Sequence, residues 1–287
     1  VGSEMCIRDR NCMGSKKIES LCLEKMLKSN TIGAYAKSIH RMIKDGNDEK
    51  CIESERPDFV FLSNGIVIGL EHFLVDSLYN QQEMSHSRQK NANIKHAVDN
   101  YAKHQDLDKG LVEMKSIFQN DFDAISRFDY KVFIKNFREI CMNHNVKCNN
   151  GTETSPCYRD KLKDYNGKDT KLGCLIEIPL VNTRHDYVLT RGNHTYRQIL
   201  NDIPYTKDTI QILGEMNGFD FVIVCVYCKS FTKAAYFNTA DVMSGIKEQN
   251  IKIYDSFDYY YKPTLDNLDI IKNGDGESYT FKFKGRI

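Results

Sequence analysis

The stretch that decides the fold is ERPDFVFLSNGIVIGLEHFLVD, residues 55–76, in which a turn at Asn64-Gly65 joins two apolar runs. Both turn positions favour positive φ, so the stretch predicts a β-hairpin. Asp58 opens the first run and Glu71 closes the second. Burying a carboxylate without a partner is costly, so two acids inside strand-like segments require something that compensates them.

The hairpin geometry predicts where these acids lie. Side chains alternate along a strand, so Asp58 shares a face with Val60, and Glu71 shares a face with Val67 and Phe73. In a short antiparallel hairpin the start of one strand faces the end of the other, so the two acids are expected to converge at the open end. They would repel each other unless one is protonated or a cation lies between them. A hard divalent ion such as Mg²⁺ would compensate both.

The remaining patterns predict an α/β or α+β protein, because helices, the hairpin and further strands alternate along the chain. Residues 147–171 are polar and predict a surface loop, and the basic stretch 183–198 reads as irregular. The other predicted elements are two helices within 16–45 separated at 29–31, helical regions at 85–104, 111–144 and 206–216, and strands at 172–180, 219–227, 234–238 and 251–256.

Composition limits the classes of function. The net charge of +1 argues against a protein that coats nucleic acid or membrane by bulk charge, so any polyanion site must be local. No apolar run approaches the roughly 18 residues that span a bilayer, and no signal peptide is evident, which predicts a cytoplasmic protein without a membrane partner. Ten cysteines scattered through a chain of this length predict reduced thiols rather than a disulfide framework.

The first ten residues, VGSEMCIRDR, resemble a translated sequencing adaptor of the kind found in metagenomic assemblies. They are excluded from the fold argument, and residues 1–12 are treated as an artefact or a disordered tail. Residues 13–287 are expected to form a single domain, with a helical insertion at about 106–171.

The pattern Pro57-Asp58, twelve residues and then Glu71 at the end of an apolar strand resembles the PD-(D/E)XK nuclease superfamily. The resemblance covers roughly residues 16–105. It implies a restriction-endonuclease-like mixed sheet flanked by helices, built from a helix, a strand, a hairpin that bears the acidic pair, a helix and a further strand. It also implies metal-dependent hydrolysis of phosphodiester bonds, with DNA as the expected substrate and partner.

Carried onto this chain, the resemblance makes Asp58 and Glu71 ligands of Mg²⁺ or Mn²⁺ and members of the catalytic site. The position of the motif lysine falls on Phe73, which can neither orient a water nor stabilise charge on a phosphate. Lys90, on the predicted following helix, is the expected substitute as third catalytic residue. The alternative is a nuclease fold that has lost catalysis and serves as a nucleic-acid-binding or protein-interaction module.

Other polar residues receive less specific predictions. Glu177, inside a strand, either joins the acidic cluster or pairs with a lysine or arginine, and these alternatives stay open. His72 points away from Glu71 and is expected to be a hydrogen-bonded core histidine. The remaining acids near the motif, Glu19, Glu24, Glu53 and Glu55, are expected to be solvated charges.

Neither of two cysteine-containing groups is expected to bind zinc. Cys225 and Cys228 are three residues apart on a predicted strand, so they face opposite sides and are expected to be structural. Cys141, His144, Cys148 and Cys157 do not match a zinc-knuckle spacing, and His144 continues a helical stripe.

Overall fold

A computed structural model gives the fold of the chain. The residues that it describes are 15–54, 56–75, 129–151, 156–165, 167, 169–179, 185–228, 231–259, 268–272 and 279–283.

Two helices precede the hairpin. Helix α1 spans Ser15–Leu27 and helix α2 spans Ala34–Lys50, so the predicted break between them is confirmed. Strands β1 (Cys51–Glu53), β2 (Phe59–Ser63) and β3 (Ile66–Leu74) follow and pair as an antiparallel meander. The turn residues Asn64 and Gly65 have φ of 51° and 78°, as the hairpin prediction requires.

After β3, the described chain resumes with helices α3 (Tyr130–Lys147) and α4 (Tyr158–Lys163). Asp129 is the N-cap of α3, and its side chain accepts hydrogen bonds from two backbone amides of the first turn. The remaining elements are β4 (Asp169–Pro179), β5 (His185–Arg191), β6 (His194–Leu200), β7 (Tyr205–Thr206), α5 (Lys207–Glu215), β8 (Phe221–Cys228), β9 (Phe231–Asn238), α6 (Val242–Glu248), β10 (Ile253–Tyr254), β11 (Ser256–Tyr259), β12 (Leu268–Lys272) and β13 (Tyr279–Phe283).

The main sheet is mixed and has six strands in the order β1-β2-β3-β4-β8-β9. Strands β3, β4 and β8 are mutually parallel, whereas β9 is antiparallel to β8. A three-stranded sheet, β11-β5-β6, and the two-stranded pairs β10-β7 and β12-β13 lie outside it. The prediction of a mixed α/β fold is therefore confirmed.

Both faces of the main sheet are buried, which explains why its central strands read as nearly continuous apolar runs. On one face, Phe59, Ile68 and Leu175 pack in a core with residues of α1 and α2, and we call this the α1–α2 face. On the other face, Val60 and Phe73 pack with residues of α3 and α4, and we call this the α3–α4 face. Alternate residues of each strand therefore enter different cores.

Two predictions about irregular segments were wrong. The expected loop at 147–171 contains α4, which buries Tyr158 and Leu162. The described part of the basic stretch, from residue 185 onward, forms the β5–β6 hairpin, closed by Gly192 at φ of 59° and Asn193. A Gly-Asn pair between two strand-like runs is a hairpin signal, so this element was readable from the sequence.

Several other predictions can be compared with the described residues. The predicted strands at 172–180, 219–227, 234–238 and 251–256 and the helix at 206–216 are confirmed to within a few residues. The predicted helix at 85–104, and 111–128 of the following helical region, lie outside the described residues. Within the described part of the chain, we find no helix that combines the length and the apolarity needed to cross a membrane.

Candidate metal centre

Asp58 and Glu71 meet at the open end of the hairpin, as predicted. The register pairs Phe59 with Leu70, and the next step along both strands sets Asp58 opposite Glu71. Side chains of directly opposed residues have Cβ atoms about 4.5–5.5 Å apart. The negative charge of Glu71 also acts on Asp58, which places the two carboxylates in one electrostatic site.

The backbone of the neighbouring strand binds the Asp58 side chain, and the surroundings of Asp58 disfavour its ionised form. The backbone amide of His72 donates a hydrogen bond of 2.6 Å to Asp58 Oδ2. Burial, and then repulsion from Glu71, raise the pKa of Asp58 to about 7, although the His72 amide acts in the opposite direction. Near neutral pH the site is therefore poised between a protonated and an ionised Asp58.

Glu71 is buried, and its two carboxylate oxygens have different surroundings. The Tyr158 hydroxyl donates to Glu71 Oε1 at 2.6 Å, and His144 Nδ1 lies 3.0 Å from the same oxygen. Glu71 Oε2 is buried and accepts no hydrogen bond from the described residues. A buried carboxylate oxygen without a donor is costly, so it marks a position that a cation would satisfy.

Helices α3 and α4 supply the residues around Glu71. Phe133, Phe137 and Cys141 form the buried stripe of α3, and His144 continues that stripe at the next helical step. Tyr158 lies in the first turn of α4 and is buried, which raises the pKa of its hydroxyl and keeps it a hydrogen-bond donor.

Gly69 allows α4 to approach β3. A Cβ atom at this position would lie 2.7 Å from Pro57 Cγ and 2.8 Å from Leu162 Cδ2, which is closer than carbon atoms can pack. Because Leu162 and Tyr158 are one turn apart on α4, the missing side chain at Gly69 is what lets the Tyr158 hydroxyl reach Glu71.

The position of the motif lysine contains an aromatic stack. The Phe73 ring is buried and lies against the His144 imidazole, with ring centroids 4.3 Å apart and planes 15° apart. His144 thus brings a nitrogen to the carboxylates from a different element. Lys90, the predicted substitute, lies outside the described residues.

His72 and Glu177 lie on the opposite side of the sheet. His72 Nε2 is 2.9 Å from Glu177 Oε2, and their side chains are 6% and 0% exposed. The prediction of a hydrogen-bonded core histidine is confirmed. Glu177 lies on the face opposite to the acidic pair, and the His72 ring is one of its partners.

The other acids near the motif differ from one another. Glu24 is exposed and pairs with Lys28, as expected for a solvated charge, and Glu53 accepts a hydrogen bond from Ser20. Glu19 contributes to the raised pKa of Asp58, so the start of α1 lies within electrostatic reach of the site. Glu55 lies outside the described residues.

The described residues give no support to a zinc site at Cys141, His144, Cys148 and Cys157. Among the described residues, Cys141, His144, Cys148 and Cys157 do not bring their ligand atoms into one cluster. The cysteines whose side chains are described have free thiols, in agreement with the prediction of reduced cysteines: Cys22, Cys51, Cys141, Cys148, Cys157, Cys174 and Cys225.

One cleft among the described residues lies away from this site. It has a volume of about 430 Å³ and lies between α2 and the hairpin turn, lined by Lys37, Arg41 and Asn64 among others. The turn is at the opposite end of the hairpin from Asp58 and Glu71. The chemistry of the carboxylate pair, rather than cavity size, therefore identifies the candidate site.

The residues that sequence reasoning missed are Tyr158 and His144. A polar residue on a buried helical stripe needs a partner, and this signal was available for His144. No comparable pattern marked Tyr158.

Comparison of the chain with protein-family models, with curated protein sequences and with solved structures finds no match.

Proposed function

We propose that the protein is a divalent-metal-dependent nuclease in which Asp58 and Glu71 hold Mg²⁺ or Mn²⁺. The observation that carries this proposal is the mutual repulsion of two carboxylates, half-buried Asp58 and buried Glu71, in which Glu71 Oε2 has no hydrogen-bond donor among the described residues. Carboxylates are the ligands these hard cations take, and the cations keep several waters beside them.

The order of the elements supports the proposal. Among the described elements, helix α2, strand β1 and the β2–β3 hairpin with its acidic pair are followed by helices α3 and α4 and then by strand β4, which is parallel to β3. This is the order that the resemblance to PD-(D/E)XK nucleases implies. In such an arrangement the metal ligands sit where two strands of a rigid sheet end together.

The chain's own groups fit such an ion. Glu71 Oε1 is bonded to Tyr158 and His144, so Oε2 would be the oxygen that holds an ion, and the His72 amide fixes the orientation of Asp58. A bound Mg²⁺ or Mn²⁺ would supply Lewis-acid stabilisation of the phosphate and activation of a water. Asp58 would release its proton as the ion binds, because only the ionised carboxylate is a ligand.

A binding or interaction module without catalysis is the second candidate. The observation that favours it is Phe73, because the position of the motif lysine is filled by a buried ring stacked on His144. In that case the acidic pair is a structural remnant, and the nucleic acid or protein partner would bind without turnover.

A cleavage assay and a metal titration separate the two candidates. Metal-free protein is incubated with plasmid DNA, single-stranded DNA and RNA, with and without Mg²⁺ or Mn²⁺. A nuclease is expected to cleave at least one substrate only when metal is present, and to gain thermal stability on metal addition through linkage. Glu71→Gln keeps the size of the side chain and is expected to abolish both responses.

The control is Asp160→Asn, which removes an exposed carboxylate that pairs with Lys163 on α4. This variant is expected to keep both responses. Metal binding without cleavage would favour the binding module over the nuclease. A melting temperature that does not change with either metal would refute the proposed metal centre.

A further inference from the structure

We infer that a second metal site lies on the α1–α2 face, formed by Cys22, His72 and Glu177, and that it takes Zn²⁺ or a similar borderline-soft divalent cation. The three residues come from α1, β3 and β4. One ligand atom from each, a sulfur, a ring nitrogen and a carboxylate oxygen, all lie within 4.8 Å of one another. This site shares no ligand residue with the proposed nuclease centre.

The distances are close to those of a tetrahedral site. Zinc bonds of about 2.0–2.3 Å put neighbouring ligand atoms about 3.3–3.8 Å apart. His72 Nε2 and Glu177 Oε2 are 2.9 Å apart, and the remaining separations do not exceed 4.8 Å. Side-chain shifts of about 1 Å would therefore bring the three ligand atoms to tetrahedral spacing.

The ligand set selects the class of ion. A thiolate, an imidazole and one carboxylate favour Zn²⁺ and related transition metals over Mg²⁺, which prefers oxygen. Charge balance fits a divalent cation, because an anionic thiolate and an anionic carboxylate neutralise its two positive charges while the imidazole stays neutral. Cys22 and Glu177 are both 0% exposed, so a neutral assembly avoids a net charge in the core.

The position of the cluster gives the ion a structural consequence. Glu71 and His72 are adjacent on β3 and point to opposite faces, so an ion at His72 would tie α1 to the strand that carries Glu71. It would also fix the backbone amide of His72, which donates to Asp58.

The test is a Co²⁺ titration of the tag-free, metal-free protein. One equivalent of Co²⁺ is expected to bind at the thiolate site and to give a thiolate-to-cobalt charge-transfer band together with intense tetrahedral d–d bands, and Zn²⁺ is expected to displace it from that site. Cys22→Ala is expected to lose the charge-transfer band. Cys225→Ala is the matched control, because Cys225 is a buried thiol in the same core, and it is expected to keep the band.

Several results of this titration would overturn the inference. A wild-type protein that gives no thiolate band overturns the inference, and so does a band that survives Cys22→Ala or disappears in Cys51→Ala, which removes an exposed thiol. If Cys22→Ala does not fold, the inference is tested by comparing the wild-type spectrum with that of His72→Gln. Loss of the ring nitrogen must weaken or abolish the cobalt bands, and unchanged bands would overturn the inference. Asp58→Asn is expected to keep the bands, so failure of the nuclease proposal would not affect this result.

Discussion

Replacing Asp58 with asparagine is expected to stabilise the metal-free protein above neutral pH and to abolish its response to Mg²⁺. Asparagine keeps an oxygen that can accept the hydrogen bond from the His72 amide, so the substitution removes the charge with little change in shape. What remains is the electrostatic effect of Asp58 beside Glu71.

The direction follows from the pKa of Asp58, which is about 7 in the folded protein and lies near 3.9 in an unfolded chain. Between those values the folded state binds more protons, so the contribution of Asp58 to wild-type stability falls as pH rises from about 4 to about 7. Asparagine does not titrate. The stability difference between variant and wild type should therefore be near zero at about pH 4 and complete above about pH 7.

The magnitude is bounded by the same values. At about 1.4 kcal/mol for each tenfold change in the ionisation equilibrium, a pKa of about 7 corresponds to at most about 4 kcal/mol. Asp58 is only half-buried, and solvent screening reduces this figure. We expect a gain of about 1–3 kcal/mol, or about 2–4 °C in melting temperature for each kcal/mol.

The measurement is chemical denaturation of both proteins across the pH range, repeated with Mg²⁺ and Mn²⁺. At about 100 times its dissociation constant, a metal should stabilise the wild type by about 2.7 kcal/mol and leave Asp58→Asn unchanged. Asp58→Ala should likewise lose metal-dependent cleavage without unfolding. If removal of Asp58 instead cost about 3–5 kcal/mol at every pH, Asp58 would be half of a buried ion pair, and the reasoning would be refuted.

Three further changes probe the surroundings of the site. Tyr158→Phe removes a donor from Glu71 and should cost about 1–3 kcal/mol of unfolding free energy and weaken metal binding about 10- to 100-fold, as measured by denaturation and calorimetry; unchanged metal affinity would argue against its orienting role. Gly69→Ala should cost about 1–3 kcal/mol through overpacking, and the same denaturation series would contradict the close approach of α4 if stability were unaltered. His72→Leu leaves Glu177 buried without its ring partner and should lower stability by at least about 1–3 kcal/mol, whereas a neutral result would show that other groups satisfy that carboxylate.

Local sequence signals determined the hairpin and the convergence of its acids. The Asn64-Gly65 turn fixes the register, and the two-residue period of a strand then fixes the faces on which Asp58 and Glu71 lie. The same period set His72 on the other face. These properties depend only on residues within one hairpin, so they could be read before any long-range contact was known.

The sequence did not predict the roles of polar residues whose hydrogen-bond partners are distant along the chain. Glu177 could have joined the acidic pair or met a cation, and only the pairing of β3 with β4 put it beside His72. Tyr158 lies in a polar stretch that predicted a loop, and its contact with Glu71 spans 87 positions of the chain. Such contacts arise from packing between distant elements, for which no local period exists.

By itself, the sequence determined the β2–β3 hairpin, the faces on which its side chains alternate, and the two carboxylates that this geometry brings together. The tertiary structure alone decided which elements cover those carboxylates: α3 brings His144 and α4 brings Tyr158 to one oxygen of Glu71, and the other oxygen is left without a donor among the described residues. The physical reason is that turn type and side-chain alternation act over a few residues, whereas the desolvation and pairing of a buried charge depend on every element that packs around it.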